Sequence, residues 1–186
     1  MEFPLTRTMT VLAFILFAAL PMMANAAPPL DPENTLYMDT TQGRVVITLR
    51  PDLAPNHVKR VKELTRQGFY DGTPFHRVIA GFMAQGGDPT GTGMGGSKLP
   101  DLKAEFTNTN FGRGTIGAAR SDNPDSANSQ FFICFQDCSS LNGQYTVWGE
   151  VVQGMENVDK LKKGEEGVPI TNPDKIVKMQ VAADAH

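Results

Sequence analysis

The chain is poor in the side chains from which most catalytic centres are assembled. Three histidines, two cysteines and one tryptophan are spread over 186 residues. His57, His76 and His186 show no metal-ligand spacing, and no Ser or Cys stands in a nucleophile pattern with them. Metal and Ser-His-Asp chemistry therefore both lack support, and a hydrolase would have no assembled nucleophile and base. Each histidine reads as structural or solvated: His57 on the polar side of a helix, His76 on the strand face opposite Arg77, His186 at the terminus. Excess charge is scarce too. A net charge of −3 with no basic stripe gives no electrostatic footprint for nucleic acid or anionic lipid. Repeats, low-complexity blocks and Pro/Ser-rich linkers are missing, which leaves one compact soluble domain, read as a monomer.

Long apolar runs are confined to the start. Val11 to Leu20 is unbroken, Arg7 precedes it, and Ala24-Asn25-Ala26 follows as an A-x-A cleavage site. The run falls well short of the roughly 20 residues needed to span a bilayer. Residues 1–26 are read as a cleaved signal peptide and residues 27–186 as the mature domain, with no membrane insertion after cleavage. An uncleaved membrane anchor or a buried core helix is the alternative, because Glu2 and the single Arg7 make a poor basic region. The expected address is the periplasm, with secretion as the other route; Asp184-Ala185-His186 is no retention signal.

An exported chain with two cysteines raises the question of a disulfide. Cys134 ends an apolar run read as a strand from Gln130, and four extended residues cover roughly 13 Å, against about 4.4–6.8 Å between bridged Cα atoms. Two free thiols are expected, with Cys134 buried. A sharp turn at Gln136-Asp137 would be needed for a bridge.

Periodicity outlines the elements. Val45, Ile47 and Leu49 alternate with Val46, Thr48 and Arg50, a half-buried strand. Pro55 opens a helix carrying Ala54, Val58, Val61 and Leu64 on one face and closing at Gly68. Phe75 to Ile79 and Phe82 to Gln85 read as strands broken at Gly81, and residues 86–102 as a long loop rich in Gly, Pro and Thr. Thr115 to Ala119, Ser129 to Cys134, Thr146 to Val151 and Ile176 to Val181 are further β-type runs. Met155, Val158 and Leu161 suggest a second helix ending at Gly164. Many short strands and two helices fit a mainly β chain, as a helix-capped barrel or a sandwich.

The stretch from Phe75 to Asp88, F-H-R-V-I-A-G-F-M-A-Q-G-G-D, is the most specific feature. It sets one permanent cation, Arg77, among apolar residues, with the bare amide of Gln85 further along and no Ser, Cys, Asp or Glu before Asp88. Such a site can grip and polarise an amide but cannot easily cleave one. With Ser129-Gln130-Phe131-Phe132, this stretch resembles the signature of the cyclophilin family of peptidyl-prolyl cis-trans isomerases. The resemblance runs from about Leu36 to Val181. It implies a closed eight-stranded antiparallel barrel capped by two α-helices, and so decides between barrel and sandwich.

Rotation about an X-Pro bond is opposed by roughly 18–20 kcal/mol of amide resonance. Turnover near 10³ per second requires lowering that barrier by roughly 7 kcal/mol. The resemblance implies that Arg77 does so as the catalytic cation. Taken alone, Arg77 would read as a salt-bridged surface arginine, and Phe82 and Phe132 as core. By the same resemblance Phe82 and Met83 (from G-F-M-x-Q), Phe132 (from S-Q-F-F) and Leu141 (from L-N-G-Q) form the proline pocket. Gln85 and Gln130 correspond to peptide-binding amides. Ala119 and Arg120 fall where main-chain groups hold the extended peptide, Arg120 replacing an Asn common in relatives. Tyr145 falls where many members carry a His lining the pocket. Ser140 replaces a Trp that contributes to cyclosporin binding in many eukaryotic members, so weak cyclosporin binding is expected. Phe131 and Ile133 should face the barrel interior, and Trp148 should pack in the core near the pocket.

Gly91 to Gly96 matches G-x-G-x-x-G, but Pro100 follows and no helix opens, so a glycine-rich loop beside the peptide groove is the better reading. No metal or other cofactor is expected. The expected function is acceleration of X-Pro isomerisation in folding exported proteins, the partners being proline-containing unfolded or partly folded polypeptides. The alternative is a peptide-holding chaperone with little or no turnover.

Overall fold

The computed structural model describes Met1 and residues 30–185; the rest of the leader read over residues 1–26, its boundary at residue 27 and His186 lie outside the described residues. Among the described residues there are eight strands: β1 (Thr35–Thr40), β2 (Gly43–Leu49), β3 (Arg77–Ile79), β4 (Met83–Gly86), β5 (Thr115–Ala118), β6 (Phe131–Cys134), β7 (Val147–Gln153) and β8 (Ile176–Val181), of which β5 and β6 are buried along their whole length. They form one antiparallel sheet in the order β3-β4-β6-β5-β7-β2-β1-β8. The two end strands do not share a ladder. Instead the seam is joined by an isolated bridge between Pro74 and Lys175 and by backbone bonds such as Phe75 N to Asp174 O, 2.9 Å, and Ile176 N to Thr73 O, 2.9 Å. A proline at that seam suits the break, since Pro has no N–H to offer a ladder. The barrel is therefore curled by seven ladders and closed by a short stitch.

Strand β1 was not among the elements expected from the sequence, although Leu36, Met38 and Thr40 alternate inward along it. The helix α1 (Pro55–Arg66) begins at the expected proline and buries Val58, Val61 and Leu64. Its first turn has no local side-chain cap. Glu105, distant in sequence, supplies one: its two carboxylate oxygens accept the N–H groups of Asn56 and His57, both at 3.1 Å. A carboxylate there satisfies donors that a helix leaves open and complements the helix dipole. The same Glu105 corrects the reading of His57. Its ring is buried, with Nδ1 donating to Glu105 Oε2 at 2.6 Å, because the end of α1 is covered by the 100–106 segment. Helix α2 (Met155–Asp159) is shorter than the expected run to Gly164, and Leu161 is buried in the turn beyond it. The helix α1 packs on β7 and β8, and α2 on β2.

Two apolar layers lie on opposite sides of the sheet. The interior holds Leu36, Ile47, Leu64, Phe75, Ile116, Phe131, Ile133 and Trp148 among others. Phe131 and Ile133 face inward as expected, and Phe131 meets Trp148 edge-on at 5.8 Å between centroids. Trp148 thus belongs to the interior and not to the pocket side. The second, smaller layer contains Met83, Phe111, Phe132, Cys134, Cys138 and Val147 on the outer face of β4, β6 and β7.

That outer layer also corrects the separation expected for the cysteines. After β6 the chain bends at Phe135-Gln136, and Cys138 returns with its N–H on Phe111 O, 2.7 Å, and its thiol on Phe82 O, 3.5 Å. Cys134 and Cys138 are both free and both buried, yet they lie together in the same apolar cluster. The expectation of free thiols stands, while the assumed straight path between them does not.

Candidate active site

Strand register builds the site. Arg77 pairs with Gln85 across β3 and β4, Gln85 with Phe132 across β4 and β6, and Phe132 with Gly117 across β6 and β5. Residues directly opposite in antiparallel strands share a face about 4.5–5.5 Å apart. A cation, an amide and a phenyl ring thus lie in one row on the outer face. Met83, two residues before Gln85, adds its side chain to the same face. At the end of this row Gly117 leaves room that no other residue would. A Cβ there would meet Phe132 Cζ at 2.4 Å and Phe111 Cε1 at 2.7 Å.

The row opens into a cavity of about 220 Å³ lined by Arg77, Phe82, Met83, Gln85, Ala119, Arg120, Phe132, Leu141 and Tyr145. Nine of the ten residues carried over from the sequence therefore meet in one place. Gln130, the tenth, lines an adjoining cavity of about 570 Å³ with Ser121, Ser126, Asn128 and the glycine loop, and Gln85, Ala119 and Arg120 border both. Phe132 forms the floor. It stacks on Phe111 (5.6 Å, 24°) and meets Tyr145 edge to face (5.5 Å, 90°). Leu141 arrives on a 3₁₀ turn, Ser139–Leu141, whose first residue follows Cys138.

Arg77 is held at the mouth. Its Nη1 donates to Gln85 Oε1 at 3.3 Å and lies 3.7 Å from Met83 Sδ, while Nε and Nη2 donate to Glu166 at 3.0 and 2.6 Å. The guanidinium also lies 5.9 Å from the Phe82 ring centroid. Arg120 behaves differently. It stacks over Tyr145 at 4.6 Å, and its donors reach the carbonyls of Gln144, Ser121 and Asp122 instead of the cavity. Ala119 N donates to Gln130 O, 3.0 Å, leaving the Ala119 side chain on the rim.

The two glutamines are locked together. Gln85 Nε2 donates to Gln130 Oε1 at 2.9 Å, and Gln130 Nε2 donates to the carbonyls of Gly93 and Gly95 at 2.9 and 2.8 Å. Those glycines are held from below by Asp88. Its carboxylate accepts Gly93 N (2.7 Å), Gly95 N (3.1 Å), Thr90 N (2.8 Å) and the Thr90 hydroxyl (2.8 Å). Burial alone would raise the Asp88 pKa, but these donors outweigh it and bring it to about 2. The G-x-G-x-x-G stretch is accordingly a loop built around one carboxylate, with no helix after it.

Sequence reasoning missed three supports of this site. Asp88 had a local signal, since Asp followed by Pro-Thr-Gly favours side-chain capping of the next turn. Phe111 and Glu166 had none, lying in loops whose place against β5 and β3 depends on the whole fold. Among the described residues no group of three His, Cys, Asp or Glu side chains could hold a metal ion, and no helix is long and apolar enough to cross a membrane.

A cation and two amides beside an apolar concavity can hold a neutral, extended peptide by its carbonyls and its proline ring. Comparison with known proteins agrees with that chemistry. Residues 35–181 match the family model described as cyclophilin type peptidyl-prolyl cis-trans isomerase/CLD. A probable peptidyl-prolyl cis-trans isomerase of Brucella suis biovar 1 is 52% identical over 189 residues, covering 94% of this chain and 96% of the relative. The peptidyl-prolyl cis-trans isomerase-like 1 of Homo sapiens is 40% identical over 148 residues, covering 73% and 84%. Among solved structures, the cyclophilin AquaCyp293 from Hirschia baltica superposes with a TM-score of 0.77 at 28% identity, covering 84% of this chain and 77% of that one. A Cryptosporidium parvum cyclophilin type peptidyl-prolyl cis-trans isomerase, solved in the presence of the dipeptide Ala-Pro, gives 0.73 at 29% identity, covering 79% and 98%. Sequence and structure together establish that the chain belongs to the cyclophilin family of peptidyl-prolyl cis-trans isomerases.

Proposed function

We propose that this isomerase acts on X-Pro bonds of unfolded or partly folded exported polypeptides, with Arg77 stabilising the twisted amide. The observation that carries the reading is the Arg77 guanidinium at the mouth of the cavity floored by Phe132. As the amide twists, resonance is lost and electron density returns to the prolyl nitrogen, which becomes pyramidal and basic. A fixed N–H donor gains its strongest interaction at that moment, so it favours the transition state over either planar isomer. The apolar walls Phe82, Met83, Phe132 and Leu141 help twice. They take the proline ring, and they exclude water, which favours the polar planar amide. Gln85 and Gln130, with the main chain at Ala119 and Arg120, would hold the peptide on either side. No proton transfer or covalent intermediate enters.

Exchange spectroscopy on an X-Pro peptide with catalytic amounts of protein tests this. Removing one such donor costs about 10²–10³ in rate, so Arg77→Ala is expected to lose most turnover and keep much of its peptide affinity. Arg77→Ala turning over like the wild type would sink the mechanism. A wild type that binds peptide without turnover would favour the holding chaperone.

The leader supports an exported role. An ATP-independent catalyst suits a compartment where X-Pro isomerisation otherwise takes tens to hundreds of seconds. Mass spectrometry of the protein recovered from a periplasmic fraction is expected to find Ala27 at the N-terminus. Full-length chain in the cytoplasm would remove the export reading and leave the chemistry untouched.

A further inference from the structure

Arg77 is gripped from two sides, and only one side belongs to the cavity. Its Nη1 faces Gln85 and Met83, both of which line the pocket. The opposite edge, Nε and Nη2, makes a two-point bond to the carboxylate of Glu166 at 3.0 and 2.6 Å. Such a fork-on-fork pair fixes orientation as well as position.

Glu166 does not arrive on a loose tether. It lies between α2 and β8, where Gly164 N donates to Val78 O, 2.8 Å, stitching the segment to the strand that carries Arg77. Val168 N then donates to Glu165 O, 3.1 Å, closing a tight turn with Glu166 and Gly167 at its corners. Gly167 has φ +74°, a conformation that glycine adopts without strain. Lys162 N on Asp174 Oδ2, 2.7 Å, anchors the segment further along.

We infer that Glu166 is a positioning residue for the isomerisation, holding the Arg77 guanidinium so that its Nη1 edge stays turned to the prolyl nitrogen. The inference rests on the reading of Arg77 as the catalytic cation. Two effects of the carboxylate oppose each other. Its charge subtracts from the field of the cation, and its two acceptors remove rotamer freedom from a long side chain. Exposure decides between them. The Glu166 side chain is 67% exposed and that of Arg77 34%, so water screens the charge while the hydrogen-bond geometry persists. Ordering wins.

The test uses the whole mature chain with Glu166→Ala, Glu166→Gln, Arg77→Ala and the Arg77→Ala/Glu166→Ala pair. Exchange spectroscopy gives kcat and KM on an X-Pro peptide, and nitrogen NMR follows the Arg77 Nε–H. Glu166→Ala is expected to lower kcat about two- to fivefold, the range that exposed ion pairs support, with KM and the thermal midpoint unchanged. Its Nε–H resonance should shift and exchange faster with water. Glu166→Gln keeps a neutral acceptor and should recover part of the loss. In the Arg77→Ala background, Glu166→Ala should change nothing more. An unchanged or raised kcat in Glu166→Ala, with Arg77→Ala inactive, overturns the positioning role and leaves the role of Arg77 intact. Normal turnover by Arg77→Ala overturns both.

Discussion

Gln85 donates its side-chain N–H to the side-chain oxygen of Gln130 at 2.9 Å, and that single bond joins the guanidinium of Arg77 to the glycine loop. On one side Gln130 holds the carbonyls of Gly93 and Gly95; on the other, Gln85 accepts from Arg77. Gln130→Leu would fill similar space and leave three polar groups without their partner. Each deprived group costs roughly 1–3 kcal/mol when water cannot replace the bond, and less at this half-buried rim. The expected outcome is a loss of about 1 kcal/mol in unfolding free energy by urea titration, with weaker binding of an X-Pro peptide. A variant matching the wild type in both measurements would remove this network from the account of substrate binding.

Much of this arrangement could be read from alternation and motif, and its limits are physical. Phe131 and Ile133 face inward and Phe132 outward because side chains alternate along an extended strand. The row Arg77–Gln85–Phe132 could not be read that way, since register between strands is fixed by packing over the whole sheet. His57 misled for a related reason. On a helix wheel it sits among polar neighbours, but Glu105 covers that end of the helix in the fold. Cys138 returned to Cys134 because the bend after β6 lets a buried apolar layer close over both, a gain that local strand geometry does not contain.

Asp88 should make the glycine loop sensitive to acid. Its folded pKa lies at about 2, below the ordinary 3.8, because the Thr90 hydroxyl and three backbone N–H groups outweigh burial. A carboxylate depressed on folding contributes stability that is present above its unfolded pKa and is lost as pH falls through the folded value. Asp88→Asn removes that contribution and turns an N–H₂ group toward donors. The wild type is therefore expected to be more stable than the variant by a constant margin above about pH 5, and the margin should shrink between about pH 4 and pH 2. Urea midpoints across that range check it. A margin that stays flat to about pH 2 would show that the carboxylate charge plays no part.

The two cysteines should be chemically quiet in the native protein. Burial, with the neighbouring Cys138 sulfur favouring the protonated form, pushes Cys134 far above the ordinary thiol range, and burial also raises Cys138. Thiols that stay protonated are poor nucleophiles. A thiol reagent is expected to react slowly with folded protein and to titrate two groups after denaturation without reductant. Finding no free thiol in purified mature protein would overturn this and place a bridge beneath Leu141.

Gly117→Ala and Phe132→Ala attack the same pocket floor from opposite directions. Phe132 rests between Phe111 and Tyr145, and its edge occupies the space that a side chain on β5 would need. Phe132→Ala empties the floor, so proline binding and turnover should fall together, with a stability loss of about 3–5 kcal/mol for a deleted buried ring. Gly117→Ala adds one methyl at 2.4 Å from Phe132 Cζ, a distance no real contact tolerates. The rings must move, and Phe132 borders the cavity, which offers it room. Overpacking of this kind costs about 1–3 kcal/mol, so the variant should fold. Its expected signature is a raised KM, with kcat less affected, because the cavity narrows while Arg77, three strands away in the row, keeps its partners Gln85 and Glu166. Exchange spectroscopy over a range of peptide concentrations separates the two constants. Gly117→Ala with wild-type KM would mean that the ring shift is absorbed elsewhere, and Phe132 would then lose its place as the floor of the proline pocket.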